Sequence, residues 1–185
     1  MFEAILCDMD GTLIDTKYAN ALAYCEALGK YGVDIDVQEF IDRYLGMSWK
    51  DFIPLICPLI DENTVTDIAR DKKQIYKNKL SLTSVNLNVV QMIGILKESK
   101  KVALVTTASR EAVDDLLRYH KLSYLFDLCV TGDDVVEAKP SPEPYIRAAN
   151  ILSVDIQNCI ILEDSEIGIR SARQSGATVL VVDHE

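Results

Sequence analysis

Short apolar runs of strand length recur along this chain, and amphipathic stretches of helix length separate most of them. The runs are Ala4 to Cys7, Val102 to Thr106, Leu125 to Val130, Cys159 to Leu162 and Thr178 to Val182. Their near-continuous apolar character suits strands covered on both faces, as in a parallel sheet. Helices are expected from about Asn88 to Ser99, Arg110 to His120, Pro142 to Leu152 and Ser165 to Ser175. Pro142 suits a first helical position, and Gly176 a C-terminal stop. Strand, helix, strand in this order predicts an α/β fold: an open, doubly wound (Rossmann-like) parallel sheet with right-handed crossovers.

One stretch breaks the alternation. From about Thr16 to Leu80 only helical patterns are found. Tyr18, Leu22, Cys25 and Leu28 line one face of a first helix, and Phe40, Ile41 and Tyr44 lie on a second. Ser48, a plausible N-cap, opens a short third that Pro54 and Pro58 limit, and a fourth runs from about Glu62 to Leu80. The expected organisation is an α/β core of residues 1–15 and 81–185, with a small all-helical unit, 16–80, inserted after the first strand.

Charge narrows the partners. Nineteen basic against twenty-nine acidic residues give a net charge of −10, which argues against nucleic acid and anionic membrane surfaces. An anionic substrate would be repelled unless its site supplied positive charge, and a bound cation is one way to do so. The five cysteines include no C-x-x-C pair and read as reduced thiols. The start is neither basic nor apolar enough for a signal peptide, and no apolar run spans a membrane, so a cytoplasmic protein is expected. His120 and His184 are too scattered for a histidine metal site and read as surface residues. Trp49 reads as packing within the helical unit.

In open α/β sheets ligands collect at the carboxyl ends of the strands. Strand one there ends in Cys7-Asp8-Met9-Asp10-Gly11-Thr12, and strand two in Thr106-Thr107. The strand ending near Val130 leads to Lys139-Pro140, and the next ends in Glu163-Asp164-Ser165. Carboxylates, hydroxyls and a lysine so gathered suit a hard cation, which takes oxygen ligands, and a phosphate, which takes cationic and hydroxyl donors. Two acids closing an apolar strand have no obvious turn role, whereas Gly132-Asp133 reads as an ordinary turn.

These residues resemble the motifs of the haloacid dehalogenase superfamily. Asp8-Met9-Asp10-Gly11-Thr12 is similar to its first motif, and three more follow in order: Thr106, then Lys139-Pro140-Ser-Pro-Glu143, then Glu163-Asp164-Ser-Glu-Ile-Gly168. The helical insertion resembles the cap of its phosphoglycolate phosphatase and β-phosphoglucomutase-like group. The resemblance implies a Mg²⁺-dependent phosphatase acting on a small phosphorylated metabolite, such as a sugar phosphate. It further implies that Asp8 is a nucleophile forming a phosphoaspartate, and that Asp10 is the general acid and base. Gly11, Thr106, Thr107 and Lys139 would hold the phosphoryl group, with Lys139 also offsetting charge in the transition state. Asp8, Asp10 (through its carbonyl), Asp164 and, as ligand or supporting partner, Glu163 would form the metal site.

Two other readings are weighed. A β-phosphoglucomutase-like mutase would carry a histidine in the first cap helix and an arginine after Gly-x-Ser. This chain has Asn20 and Gly46-Met47-Ser48-Trp49 instead, which favours hydrolysis. A receiver-type signalling module also holds a phosphoaspartate, but after a middle strand and without a helical insertion. The patterns C-x5-R, G-x-x-x-x-G-K-[ST] and G-x-S-x-G are all absent.

Overall fold

The computed structural model describes residues 2–183, so His184 lies outside the described residues. The strand β1 (Ala4–Cys7) and the two-residue β2 (Ile14–Asp15) come first, followed by helices α1 (Lys17–Gly29), α2 (Val37–Tyr44), α3 (Trp49–Ile56) and α4 (Glu62–Tyr76). A short β3 (Ser84–Val85) then precedes α5 (Leu87–Leu96), β4 (Lys101–Val105), α6 (Arg110–Tyr119) and β5 (Leu128–Val130). The chain closes with α7 (Glu143–Leu152), β6 (Cys159–Glu163), α8 (Glu166–Ser175) and β7 (Thr178–Val181). It divides into two compact units, Met1–Asp15 with Val85–Glu185, and Thr16–Ser84.

The first unit holds a five-stranded sheet of order β5-β4-β1-β6-β7, with every neighbouring pair parallel. Chain order explains what this does for β1. The strands β4 and β5 build outward on one side of it and β6 and β7 on the other, so β1 ends at the switch point of the sheet. Alternation along each strand supplies two buried faces. Ala4 and Leu6 of β1 join Ala103, Val105, Ile161, Tyr145 and Ala148 of α7, and Ala172 of α8 in one cluster. Ile5 and Cys7 point the other way and are just as buried.

The second unit, Thr16–Ser84, is built of helices and their connecting turns, with Ser84 of β3 at its end. Ala21, Leu28, Phe40, Phe52, Ile53 and Ile68 form its core, and Trp49 packs against it as expected. Tyr24 stacks on Phe40 with ring centroids 5.4 Å apart, and Phe52 meets both rings edge-on. The helix starts are capped from the sequence: Asp36 accepts from Gln38 N and Glu39 N, Ser48 from Lys50 N, and Asp61 from Thr64 N.

Several boundaries differ from the sequence reading. The run Leu125 to Val130 is a strand only from Leu128; Ser123–Leu125 is a 3₁₀ turn whose buried Leu125 plugs the core, and burial demands the same apolar residue there as a strand would. Pro142 caps α7 instead of opening it. Pro54 lies inside α3, where it forfeits one backbone bond while buried Phe52 and Ile53 hold the helix in place. The fourth helix ends at Tyr76 and gives way to a 3₁₀ stretch, Lys77–Leu82.

Candidate active site

Asp8 continues β1 by one step, its amide donating to Leu162 O at 3.0 Å. Since Cys7 lies beside Leu104 and Leu162, the next residues Asp8, Val105 and Glu163 form a row at the carboxyl ends of β1, β4 and β6. The chain then turns tightly: Met9 O accepts from Leu13 N and Ile14 N, and Gly11 N donates to Ile14 O. Gly11 has φ of +93°, a left-handed conformation open to glycine, and a Cβ there would collide with the Asp164 carboxylate. The positive φ is what favours glycine here, and any side chain would also displace Asp164.

Lys139 is the hub. Its Nζ donates to Asp8 Oδ1 at 2.5 Å, to Glu163 Oε1 at 2.7 Å and to Val105 O at 3.0 Å, which uses all three ammonium donors. Its side chain is 4% exposed. Tyr145 of α7 donates its hydroxyl to the same Glu163 Oε1 at 2.7 Å and sets its ring 4.8 Å from Nζ. Glu163 Oε2 accepts from Asp164 N, Ser165 N and Ser165 Oγ. Both Glu163 oxygens are thus committed within the protein.

Around this hub lie the remaining residues. Asp164 Oδ1 accepts from Thr12 Oγ1 at 2.8 Å. Thr106 Oγ1 donates to Asp10 Oδ2 at 3.3 Å and accepts from Ala108 N at 3.0 Å. Thr107 is exposed at the rim. Asp8, Asp10, Gly11, Thr106, Thr107, Lys139, Glu163 and Asp164 come from four separate places in the sequence, and the sheet brings them to one end. Thr12 and Ser165, which belong to the same strand-end runs, join them, and so does Tyr145, which no motif marks. Nothing in its spacing marks Tyr145, because a tyrosine on a helix is more often structural.

The electrostatics follow from burial. Desolvation pushes the Asp8 carboxyl up; Lys139 opposes this, while Glu163 and Asp10 add to it. Burial alone would lower the Lys139 ammonium, but Asp8 and Glu163 outweigh it and hold the lysine charged. Cys7, wholly buried beside Asp8, is driven well above the usual thiol range by burial, which leaves it inert. No disulfide forms among the five cysteines.

The donor set can be tested against a cation. One oxygen from each of Asp8, Glu163 and Asp164 lies within 4.8 Å of the other two. Carboxylate oxygens suit a hard divalent ion, and the acids Asp8, Asp10, Glu163 and Asp164 gathered about the Lys139 ammonium leave negative charge for it to offset. Asp8 and Asp164 fit such a role best. Glu163 fits least, since its oxygens already serve Lys139, Tyr145, Ser165 and the Asp164 amide.

Comparison with known proteins places this geometry in context. The chain is 28% identical over 180 residues to the fructose-1-phosphate phosphatase YqaB of Escherichia coli, covering 95% of this chain and 93% of that protein. It is 30% identical over 181 residues to a phosphorylated carbohydrates phosphatase of Thermotoga maritima, covering 94% and 82%. The crystal structure of CbbY from Rhodobacter sphaeroides in complex with phosphate superposes with a TM-score of 0.85 at 29% identity, over 100% of this chain and 88% of that one. No described helix is long and apolar enough to cross a membrane. The family model for haloacid dehalogenase-like hydrolases matches residues 5–182, and the chain belongs to that family of enzymes.

Proposed function

We propose that this protein is a Mg²⁺-dependent cytoplasmic phosphatase of small phosphate monoesters, sugar phosphates above all, working through a phosphoaspartate on Asp8. The observation that carries the reading is the Lys139 ammonium shared between Asp8 and Glu163 at the end of a buried strand, with the Asp164 carboxylate alongside. A structural ion pair would not need to be assembled at the switch point of the sheet, where the backbone leaves room for a ligand.

Asp8, Asp164 and the Asp10 carbonyl would hold the Mg²⁺, which when bound offsets the repulsion between a carboxylate and a phosphoryl group. Lys139 binds Asp8 Oδ1, so Oδ2 is the oxygen left to attack phosphorus. As the new O–P bond forms, the ester O–P bond breaks, and Asp10 gives its proton to the leaving alkoxide. Asp10 then takes a proton from a water, whose oxygen attacks phosphorus and releases inorganic phosphate and the Asp8 carboxylate. The Thr106 hydroxyl, 3.3 Å from the Asp10 carboxylate, orients that side chain and reaches the phosphoryl oxygens. Lys139 stays charged throughout and offsets charge that grows in the transition state. Glu163, pinned by Tyr145 and Ser165, aims Lys139.

The sugar-phosphate class rests on the names of the Escherichia coli and Thermotoga maritima relatives. By the family resemblance, the helical unit would select among such substrates. Hydrolysis is favoured over phosphoryl return to a sugar because Asn20, where a mutase would carry histidine, accepts a hydrogen bond from Lys72 at 2.5 Å. The test is turnover on a panel of phosphometabolites that includes fructose 1-phosphate, with Mg²⁺ and with EDTA. Phosphate release that requires Mg²⁺ is expected; equal turnover in EDTA would rule out the metal.

A further inference from the structure

Gly132-Asp133 looks in the sequence like plain punctuation after β5. In the fold it is one half of an interlock around Thr106–Ala108. Thr106 N donates to Val130 O at 3.0 Å, so β4 and β5 are still paired where the loop begins. Gly132 N then donates to Ala108 O at 2.8 Å, and a Cβ at residue 132 would strike the Thr107 carbonyl oxygen. The close approach of the two backbones is possible only for glycine.

The acids that follow extend the grip. Asp133 Oδ2 accepts from the backbone N of Arg110, the first residue of α6 and a donor with no partner in its own helix, at 2.8 Å. The Arg110 guanidinium reaches back to Asp134 Oδ2 at 2.6 Å and to Cys129 O at 2.9 Å. Asp134 Oδ2 also accepts from Thr131 N at 2.8 Å and Thr131 Oγ1 at 2.7 Å. The loop that carries Thr106 is thereby fixed at the Ala108 carbonyl, the Arg110 amide and the Arg110 side chain. The ion pair of Arg118 with Asp115 on the same helix makes no such link to the loop.

We propose that Arg110, Asp133 and Asp134 are positioning residues that set the place of the Thr106–Ala108 loop, and with it the affinity of the site for a phosphoryl group. They touch no reacting atom. Their effect passes through where the Thr106 hydroxyl and the loop amides are held. The inference rests on the reading of Thr106 as a phosphate-holding residue.

The test measures Ki for inorganic phosphate, KM, kcat and Tm for Arg110→Ala, Asp134→Ala, the double variant, Arg110→Lys and the control Arg118→Ala. Phosphate Ki and KM are expected to rise about tenfold in each single alanine variant with kcat within about threefold of wild type, as misplacement of a binding group predicts. The double variant should be no worse than either single, since one removed partner already opens the interlock. Arg110→Lys should recover part of the loss, and Arg118→Ala should match wild type. If Arg110→Ala does not fold, Asp134→Asn, which keeps the side-chain shape, carries the same measurement. Variants that lose Tm but keep wild-type Ki and KM would overturn the proposal while leaving the phosphatase reading intact. A wild-type enzyme that neither turns over phosphate esters nor binds phosphate would overturn both.

Discussion

The sheet unit and the helical unit solve opposite problems. In the sheet unit the ionisable residues Asp8, Lys139 and Glu163 are almost wholly withdrawn from water. In the helical unit the core is aromatic and aliphatic, and the charges stay outside, as in the exposed pair Arg43–Glu39. Burying an ion pair costs desolvation that its attraction only partly returns, so such a pair is weak evidence for stability. A protein that places one at the switch point of its sheet is keeping reactive groups in fixed positions. The helical unit carries no comparable burden: its core is apolar, and its polar links, such as Lys72 to Asn20 and Lys30 to Asp71, lie outside that core.

Breaking the sheet unit's side of this comparison should have the largest effect. Asp8→Asn is expected to lower kcat by at least about 10⁴-fold with the fold intact, as loss of a nucleophile does. Circular dichroism and turnover of an aryl phosphate check it, and an active Asp8→Asn enzyme would refute the mechanism. Lys139→Ala removes the shared ammonium and leaves Asp8 facing Glu163. A loss of about 3–5 kcal/mol in metal-free stability is expected for an uncompensated buried charge, together with a kcat loss of about 10²–10³-fold. Urea unfolding in EDTA, and turnover in Mg²⁺, measure the two separately.

The helical unit should respond differently. Phe52→Ala opens a cavity among Tyr24, Phe40 and Tyr44 and should cost about 3–5 kcal/mol of stability. The folded fraction should still be inhibited by inorganic phosphate at the wild-type Ki, because the residues proposed to hold phosphate, Gly11, Thr106, Thr107 and Lys139, belong to the sheet unit. Tyr145→Phe is subtler: it removes only the hydroxyl that pins Glu163, and about 1–3 kcal/mol is expected from leaving a buried acceptor without that donor. A kcat decrease at constant KM would show that this hydroxyl aims Lys139. Last, Glu39→Gln should change stability by about 0.5 kcal/mol or less, since an exposed pair one helical turn apart contributes little.

Much of the site was legible because its chemistry repeats along the chain in order. Asp8 and Asp10 stand out as acids at the end of an apolar strand, and Glu163-Asp164 repeat the pattern at the end of β6. Lys139 was legible only by its company among the other motifs. Tyr145 was not legible, because its apolar ring satisfies the periodicity of α7 whether or not its hydroxyl has a partner. Arg110, Asp133 and Asp134 were hidden for another reason: a turn and a helix start explain them locally, and the partner loop they grip is far from the turn in the chain.

The pattern of apolar runs was enough to call for a parallel sheet with an all-helical insertion, because burial on two faces and burial on one leave different periodicities. Polar capping residues such as Asp36 and Asp61 likewise announce their helices through local hydrogen bonds. What folding in three dimensions decided was pairing: that β1 lies between β4 and β6, and that Lys139 reaches Asp8 across 131 residues of chain. Such contacts depend on strand order and register, which no local periodicity encodes. They arise only when distant segments compete for the same buried edge.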